Sequence, residues 1–130
     1  MTSIAQVLLD AGKSVSGSDV AENFVTQDIL TERSLHCDIG FETPLPSKTE
    51  CIIYTSAHQA ENNLQVQEAR KLNIPTYSQA EALAAFFNQK KGIAVCGVGG
   101  KSSTSAMITW ILEQTGQNPS YSVGVGRINQ

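Results

Sequence analysis

Gly92-Ile93-Ala94-Val95-Cys96-Gly97-Val98-Gly99-Gly100-Lys101-Ser102-Ser103-Thr104 is the stretch on which the reading of this chain turns. An apolar, β-prone run breaks into glycines and continues as Lys-Ser and a helix start, a pattern suited to holding nucleotide phosphates. The glycines let successive backbone N–H groups turn toward an anion, and the helix N-terminus adds the positive end of its dipole. Lys101 is then placed to reach the β- and γ-phosphates, and the Ser102 hydroxyl to ligate Mg²⁺. The stretch is the short form G-x-x-G-K-S, because Val95 stands where the full Walker pattern has its first glycine. The same residues also fit a plain strand-to-helix turn with a solvated lysine and capping hydroxyls. Lys101 beside the hydroxyls, and the glycines ahead of them, favour the phosphate loop.

Outward from that loop the chain alternates helices and strands. Upstream, Ile4, Ala5, Val7, Leu8 and Ala11 make a helical stripe closed by Gly12. Ser14–Ser18 is a short strand ending in Gly17-Ser18-Asp19. Phe24, Val25, Ile29 and Leu30 face one side of a second helix, Leu35–Ile39 is a weaker strand, and Thr43-Pro44-Leu45-Pro46 is a loop. Cys51-Ile52-Ile53-Tyr54-Thr55 reads as a strand buried on both faces. A helix over 62–72 and a short strand over 74–77 follow. Ser78, with Glu81 three residues on, predicts a capping box for a helix running to Phe87. Asn88 to Gly92 is a polar junction, which divides the chain into residues 1–90 and residues 91–130. Beyond the loop, Ala106, Met107, Trp110 and Ile111 share one side of a helix that Gly116 ends, with Met107 and Trp110 expected in the core. Tyr121–Val125 reads as a further strand.

This order predicts the α/β class: a Rossmann-like parallel sheet, followed from residue 91 by the start of a P-loop unit. A nucleotide-binding βαβ unit opens on a strand and a glycine-rich turn, whereas this chain opens on a helix. Both ends are therefore expected to be cut, with the first strand of the sheet missing.

Composition narrows the partners. The chain has 130 residues, 41% of them hydrophobic, and a formal net charge of -3. Its nine Lys and Arg residues form no stripe, so neither nucleic acid nor an anionic membrane surface is expected as a partner. Apolar runs fall far short of the ~20 residues that span a bilayer, and no signal peptide is visible. Cys37, Cys51 and Cys96 are odd in number and lack C-x-x-C spacing, which predicts reduced core thiols and a cytoplasmic location.

Asp19 falls at the carboxyl end of its strand, where an acid can accept hydrogen bonds from a ribose diol. It serves equally well as a turn aspartate or a helix N-cap. Thr55-Ser56-Ala57-His58 follows the next strong strand at the same edge of the sheet, where hydroxyls reach phosphate or sugar. His58 fits a solvated or capping residue better than a catalyst, and His36 is weaker still. No zinc ligand set, nucleophile triad or paired catalytic carboxylate stands out.

Taken together the chain resembles the Mur ligase family along essentially its whole length. Val15-Ser16-Gly17-Ser18-Asp19 is similar to the family's segment after strand two, and Ala21-Glu22-Asn23 with Thr26-Gln27 to the helix that follows. Tyr54-Thr55-Ser56-Ala57 resembles its strand-four edge; Asn73-Ile74-Pro75 with Gln79-Ala80-Glu81-Ala82-Leu83 resembles its next strand and helix. Gly97–Thr104 resembles its ATP loop, G-T-H-G-K-T-T-T. Val98 and Gly99 replace Thr and His there, Ser102-Ser103 replace two threonines, and Phe41 stands where the family commonly has a His near the uridine. Met1 resembles the methionine that ends the family's glycine turn.

The resemblance implies a cytoplasmic ATP-dependent ligase of peptidoglycan precursor synthesis with ATP and Mg²⁺ as cofactors. ATP phosphorylates the carboxylate of UDP-N-acetylmuramate, and L-alanine then attacks the acyl phosphate. It implies that Gly97, Val98, Gly99, Gly100, Lys101, Ser102 and Ser103 bind ATP, with Lys101 catalytic and Ser102 on the metal. Ser18, Asp19, Ser56 and Ala57 would bind the UDP-sugar. The 130 residues alone are expected to be inactive, lacking the groups that position acyl phosphate and amine. Alternatives are a murein-tripeptide recycling ligase with the same nucleotide sites, and a non-catalytic nucleotide-binding module. A dinucleotide-binding domain would explain Asp19 but not Gly100-Lys101-Ser102.

Overall fold

The computed structural model describes residues 1–22, 27–57 and 60–124. Helix α1 spans Thr2–Asp10, strand β1 Gly17–Asp19, helix α2 Gln27–Glu32 and strand β2 Cys37–Ile39. Strand β3 (Ile52–Tyr54), helix α3 (Leu64–Lys71), strand β4 (Thr76–Ser78) and helix α4 (Gln79–Phe87) follow, and helix α5 covers Lys101–Gln114. A single 3-10 turn at Ala60–Asn62 precedes α3. The expected α/β alternation holds, and every strand pair is parallel.

The strands form two ladders: β1 pairs with β2 (Ser18 opposite Asp38), and β3 with β4 (Ile53 opposite Tyr77). In place of the single expected sheet, each of β1 and β3 is hydrogen-bonded on one side only among the described residues. The observed strands are also shorter than the apolar runs that predict them. β1 begins at Gly17 rather than Ser14, and Cys51 is exposed ahead of β3.

Four helices stop in the same way. After α1, Gly12 takes φ +73°, its N–H donates to the Leu9 carbonyl at 2.9 Å and the Lys13 N–H to Leu8 at 3.0 Å. This crossed pair satisfies carbonyls that a helix end leaves orphaned. Gly116 does the same for α5, while Ser34 and Asn73 adopt it after α2 and α3 at φ +56°. At the other end of α3, the Asn63 side chain accepts from the Gln65 N–H at 2.9 Å.

The core is small and lies mostly under α3 and α4. Val66 and Ala69, three apart on α3, are almost completely buried, Ala82 on α4 is buried too, and both helices pack on β3 and β4. Among the described residues, Ile4 of α1 and Leu35 before β2 are the buried apolar side chains of the other half. Asp10 and Arg33 tie α1 to the end of α2 through an exposed 2.6 Å ion pair. From α3, Gln65 Nε2 donates to the Thr43 carbonyl at 2.9 Å and holds the proline-rich loop.

Several expectations beyond residue 90 are corrected. Residues 92–96 form no strand, because no backbone group of theirs joins a ladder among the described residues. The 121–125 strand is likewise absent over 121–124, and Val125 lies outside the described residues. Met107 and Trp110 are 58% and 51% exposed, so the apolar side of α5 is not core. Cys51 and Cys96 are exposed and only Cys37 is partly covered, which contradicts three core thiols. Burial and desolvation, then the nearby charges of Asp19 and Asp38, push the Cys37 thiol up. Phe24, Val25 and His58 lie outside the described residues.

Candidate functional site

The phosphate-loop residues cluster at the start of α5. Gly97 and Gly100 take φ +151° and +71°, conformations that glycine reaches without a Cβ penalty, and Gly100 is the N-cap. No side chain caps this terminus. Ser102 and Ser103 therefore sit inside the first helical turn rather than acting as caps, and their hydroxyls are not committed to the helix end. A Cβ placed on Gly99 or Gly100 would meet nothing within 4 Å, so the loop is open on that side. Lys101 folds back over it: Nζ donates to the Gly97 carbonyl at 2.9 Å and to that of Val98 at 3.5 Å. Val98 stands fully in solvent at the loop tip.

Backbone N–H groups left over at a helix N-terminus carry about half a positive charge through the macrodipole. With an ammonium held 2.9 Å from the loop carbonyl, the start of α5 concentrates positive potential on a patch free of side-chain bulk. A polyphosphate exchanging with those carbonyls for the Lys101 ammonium would gain a charge-assisted contact. The fit to Mg²⁺ rests on the Ser102 hydroxyl, since that ion takes one or two protein oxygens plus phosphate oxygens. Among the described residues no group of three or more His, Cys, Asp or Glu could hold a metal alone.

Asp19 and Ser56-Ala57 lie at carboxyl ends of parallel strands, Asp19 closing β1 and Ser56-Ala57 just after β3. Asp19 Oδ1 accepts from the Val20 N–H at 2.8 Å, the turn role, while its backbone carbonyl accepts from Gly40 at 2.9 Å. Its other carboxylate oxygen makes no hydrogen bond among the described residues, so the ribose role remains open to it. Ser18 sits in the β1–β2 ladder opposite Asp38. Ser56 and Ala57 are exposed, and the Ala57 N–H donates to Thr55 Oγ1 at 3.3 Å.

One group beside these residues escapes sequence reasoning. Tyr54, the last residue of β3, donates its hydroxyl to Glu61 Oε1 at 3.2 Å, and Arg70 Nη1 donates to Glu61 Oε2 at 3.4 Å. Glu61 and Arg70 are nine apart and lie on different elements, so no helical or strand period links them. Only the fold brings them together.

Residues 1–91 match the model of the Mur ligase family, catalytic domain. The UDP-N-acetylmuramate–L-alanine ligase of Aquifex aeolicus is 38% identical over all 130 residues, which span 28% of that protein. Its namesake from Chlorobaculum parvum is 38% identical over 95% of this chain and 26% of its own length. The chain thus spans about a quarter of the curated relatives it matches. The crystal structure of the UDP-N-acetylmuramate–alanine ligase MurC from Thermotoga maritima superposes with a TM-score of 0.84 over 95% of this chain, at 21% identity and 29% of its own length. That likeness supports the fold: short parallel ladders flanked by helices. With the family model covering the strands and both carboxyl-edge segments, the chain belongs to the Mur ligase family.

Proposed function

We propose that this chain carries the UDP-sugar unit (residues 1–90) and the opening of the ATP unit (residues 91–130) of an ATP-dependent ligase joining L-alanine to UDP-N-acetylmuramate. The observation that carries this reading is the match to the Aquifex aeolicus ligase over all 130 residues, a span that includes both carboxyl-edge segments and the loop. Bound ATP with Mg²⁺ would supply the phosphoryl group that activates the muramic acid carboxylate. Gly97, Gly99 and Gly100 give that triphosphate backbone N–H donors, and Val98 and Ser103 flank its path. Lys101 offsets charge on the transferring group, and Ser102 would hold the metal. Asp19 and Ser18 at one strand end, and Ser56-Ala57 at another, would orient the uridine diphosphate.

No helix among the described residues is long and apolar enough to cross a membrane. The resemblance to the family's cytoplasmic ligases is what supports a cytoplasmic location in our reading. The test is phosphate release by the gene product that carries this chain, with ATP, Mg²⁺ and UDP-N-acetylmuramate. Release dependent on L-alanine is the expected result. Release with a muramyl tripeptide but not with L-alanine would assign the chain to recycling, and ATP binding without release would make it a binding module.

A further inference from the structure

Tyr54, Glu61 and Arg70 make a three-membered clasp at the carboxyl end of β3. The Tyr54 hydroxyl donates to one Glu61 carboxylate oxygen at 3.2 Å, and Arg70, in the last turn of α3, donates to the other at 3.4 Å. Ser56 and Ala57 follow Tyr54 directly. The Ala57 carbonyl accepts from the Ala60 N–H at 3.0 Å, immediately before Glu61, and Asn63 caps α3 just beyond it. The backbone around Ser56-Ala57 is thus held from two rigid elements: β3 through Tyr54 and α3 through Arg70.

We propose that Glu61, gripped by Tyr54 and Arg70, is a positioning residue that presets Ser56 and Ala57 for the UDP-sugar. The inference rests on the reading of those two residues as UDP-sugar contacts. An exposed segment samples many backbone states, and only the fraction in the binding shape contributes to affinity; a clasp that raises that fraction tightens binding in proportion. The hydroxyl is the stronger arm, because an exposed ion pair is screened and loosely held. Partial desolvation, then the hydrogen bond and charge of Glu61, hold the Tyr54 hydroxyl above the usual tyrosine range. It stays a donor throughout neutral pH.

The test titrates UDP-N-acetylmuramate, and separately ATP, into the gene product that carries this chain by calorimetry, with thermal midpoints alongside. Tyr54→Phe and Glu61→Ala should weaken UDP-sugar binding about three- to tenfold, leaving ATP affinity and kcat at saturation unchanged. Glu61→Gln keeps an acceptor for the hydroxyl and should stay within about twofold of the parent. Unchanged UDP-sugar affinity in Tyr54→Phe overturns the inference. Equal loss of both ligands with a lowered midpoint also overturns it, by assigning the clasp to stability alone, as does Glu61→Gln behaving like Glu61→Ala. A folded parent that binds no UDP-sugar removes the underlying reading, and that arm is decided before any variant is made.

Discussion

At the start of α4, Ser78 Oγ accepts from the Glu81 N–H at 3.3 Å and the Glu81 carboxylate accepts from the Ser78 N–H at 2.7 Å; at the start of α5, Gly100 presents no side chain at all. Both helices face the same problem of unpaired N–H groups in the first turn. The α4 terminus satisfies two of its donors internally, through Ser78 and Glu81. The α5 terminus leaves its donors for something from outside, with Lys101 poised over the approach. A closed terminus suits stability and an open one suits the anion proposed for it, and the contrast can be broken from either side.

The largest effect should come from Lys101→Ala in the gene product that carries this chain. Losing a cationic contact to a transferring phosphoryl group costs about a thousandfold in turnover or more, with UDP-sugar affinity unchanged. Calorimetry with both ligands checks it, and equal weakening of the two would merge the sites proposed here as separate. Gly100→Asp should place a carboxylate at the open terminus, at the cost of backbone strain from φ +71° that lowers the thermal midpoint. Its carboxylate would compete for the first-turn N–H groups and repel phosphate, lowering ATP affinity at least about tenfold; unaltered ATP binding would show that the terminus is not the phosphate seat. Asp19→Ala belongs to the other unit and should weaken the UDP-sugar by about 1–3 kcal/mol with ATP untouched. If it leaves UDP-sugar affinity alone, the 2.8 Å bond to the Val20 N–H is the whole role of Asp19.

The smallest effect belongs to the closed terminus. Ser78→Ala should cost about 1 kcal/mol of stability in denaturant melts and nothing in ligand affinity. The box also has a pH signature. Hydrogen bonds from the Ser78 side chain, then from its backbone, hold the Glu81 carboxyl below its usual range. A carboxyl depressed on folding contributes stability that is fully present above the unfolded glutamate value and lost as pH falls through the folded one. Parent and Ser78→Ala melts should therefore converge on acidification. A gap that stays constant down to acid pH would detach Glu81 from the cap.

The same two termini mark how far the sequence could be read. Ser78 and Glu81, three apart ahead of an apolar run, specify a local device in which every partner lies within four residues, so the spacing is enough. The glycines, lysine and hydroxyls at 97–104 are local in the same way, so their spacing alone carries the expectation of a phosphate loop. Residues 92–96 carry β-branched and apolar side chains but form no strand, because a strand exists only against a partner and none pairs with them among the described residues. Exposure of Met107, Trp110, Cys51 and Cys96 was missed on similar grounds: an apolar residue is buried by what packs over it, which local composition does not contain. The Tyr54–Glu61–Arg70 group is the extreme case, assembled from a strand end, a 3-10 turn and a helix end.

The division of the strands into β1–β2 and β3–β4 has a consequence for how the molecule opens. Ladders of three residue pairs are marginal alone. β3 and β4 have α3 and α4 packed on them around Val66, Ala69 and Ala82, whereas the contacts of β1 and β2 are chiefly with each other. With no hydrogen bonds joining the two ladders among the described residues, nothing in that backbone compels them to unfold as one cooperative unit. Amide hydrogens of Gly17–Asp19 should exchange with solvent well before those of Ile52–Tyr54. The proposed ribose-binding end at Asp19 would then belong to the part of the protein that opens first, and a ligand bridging both ladders would slow exchange most at β1.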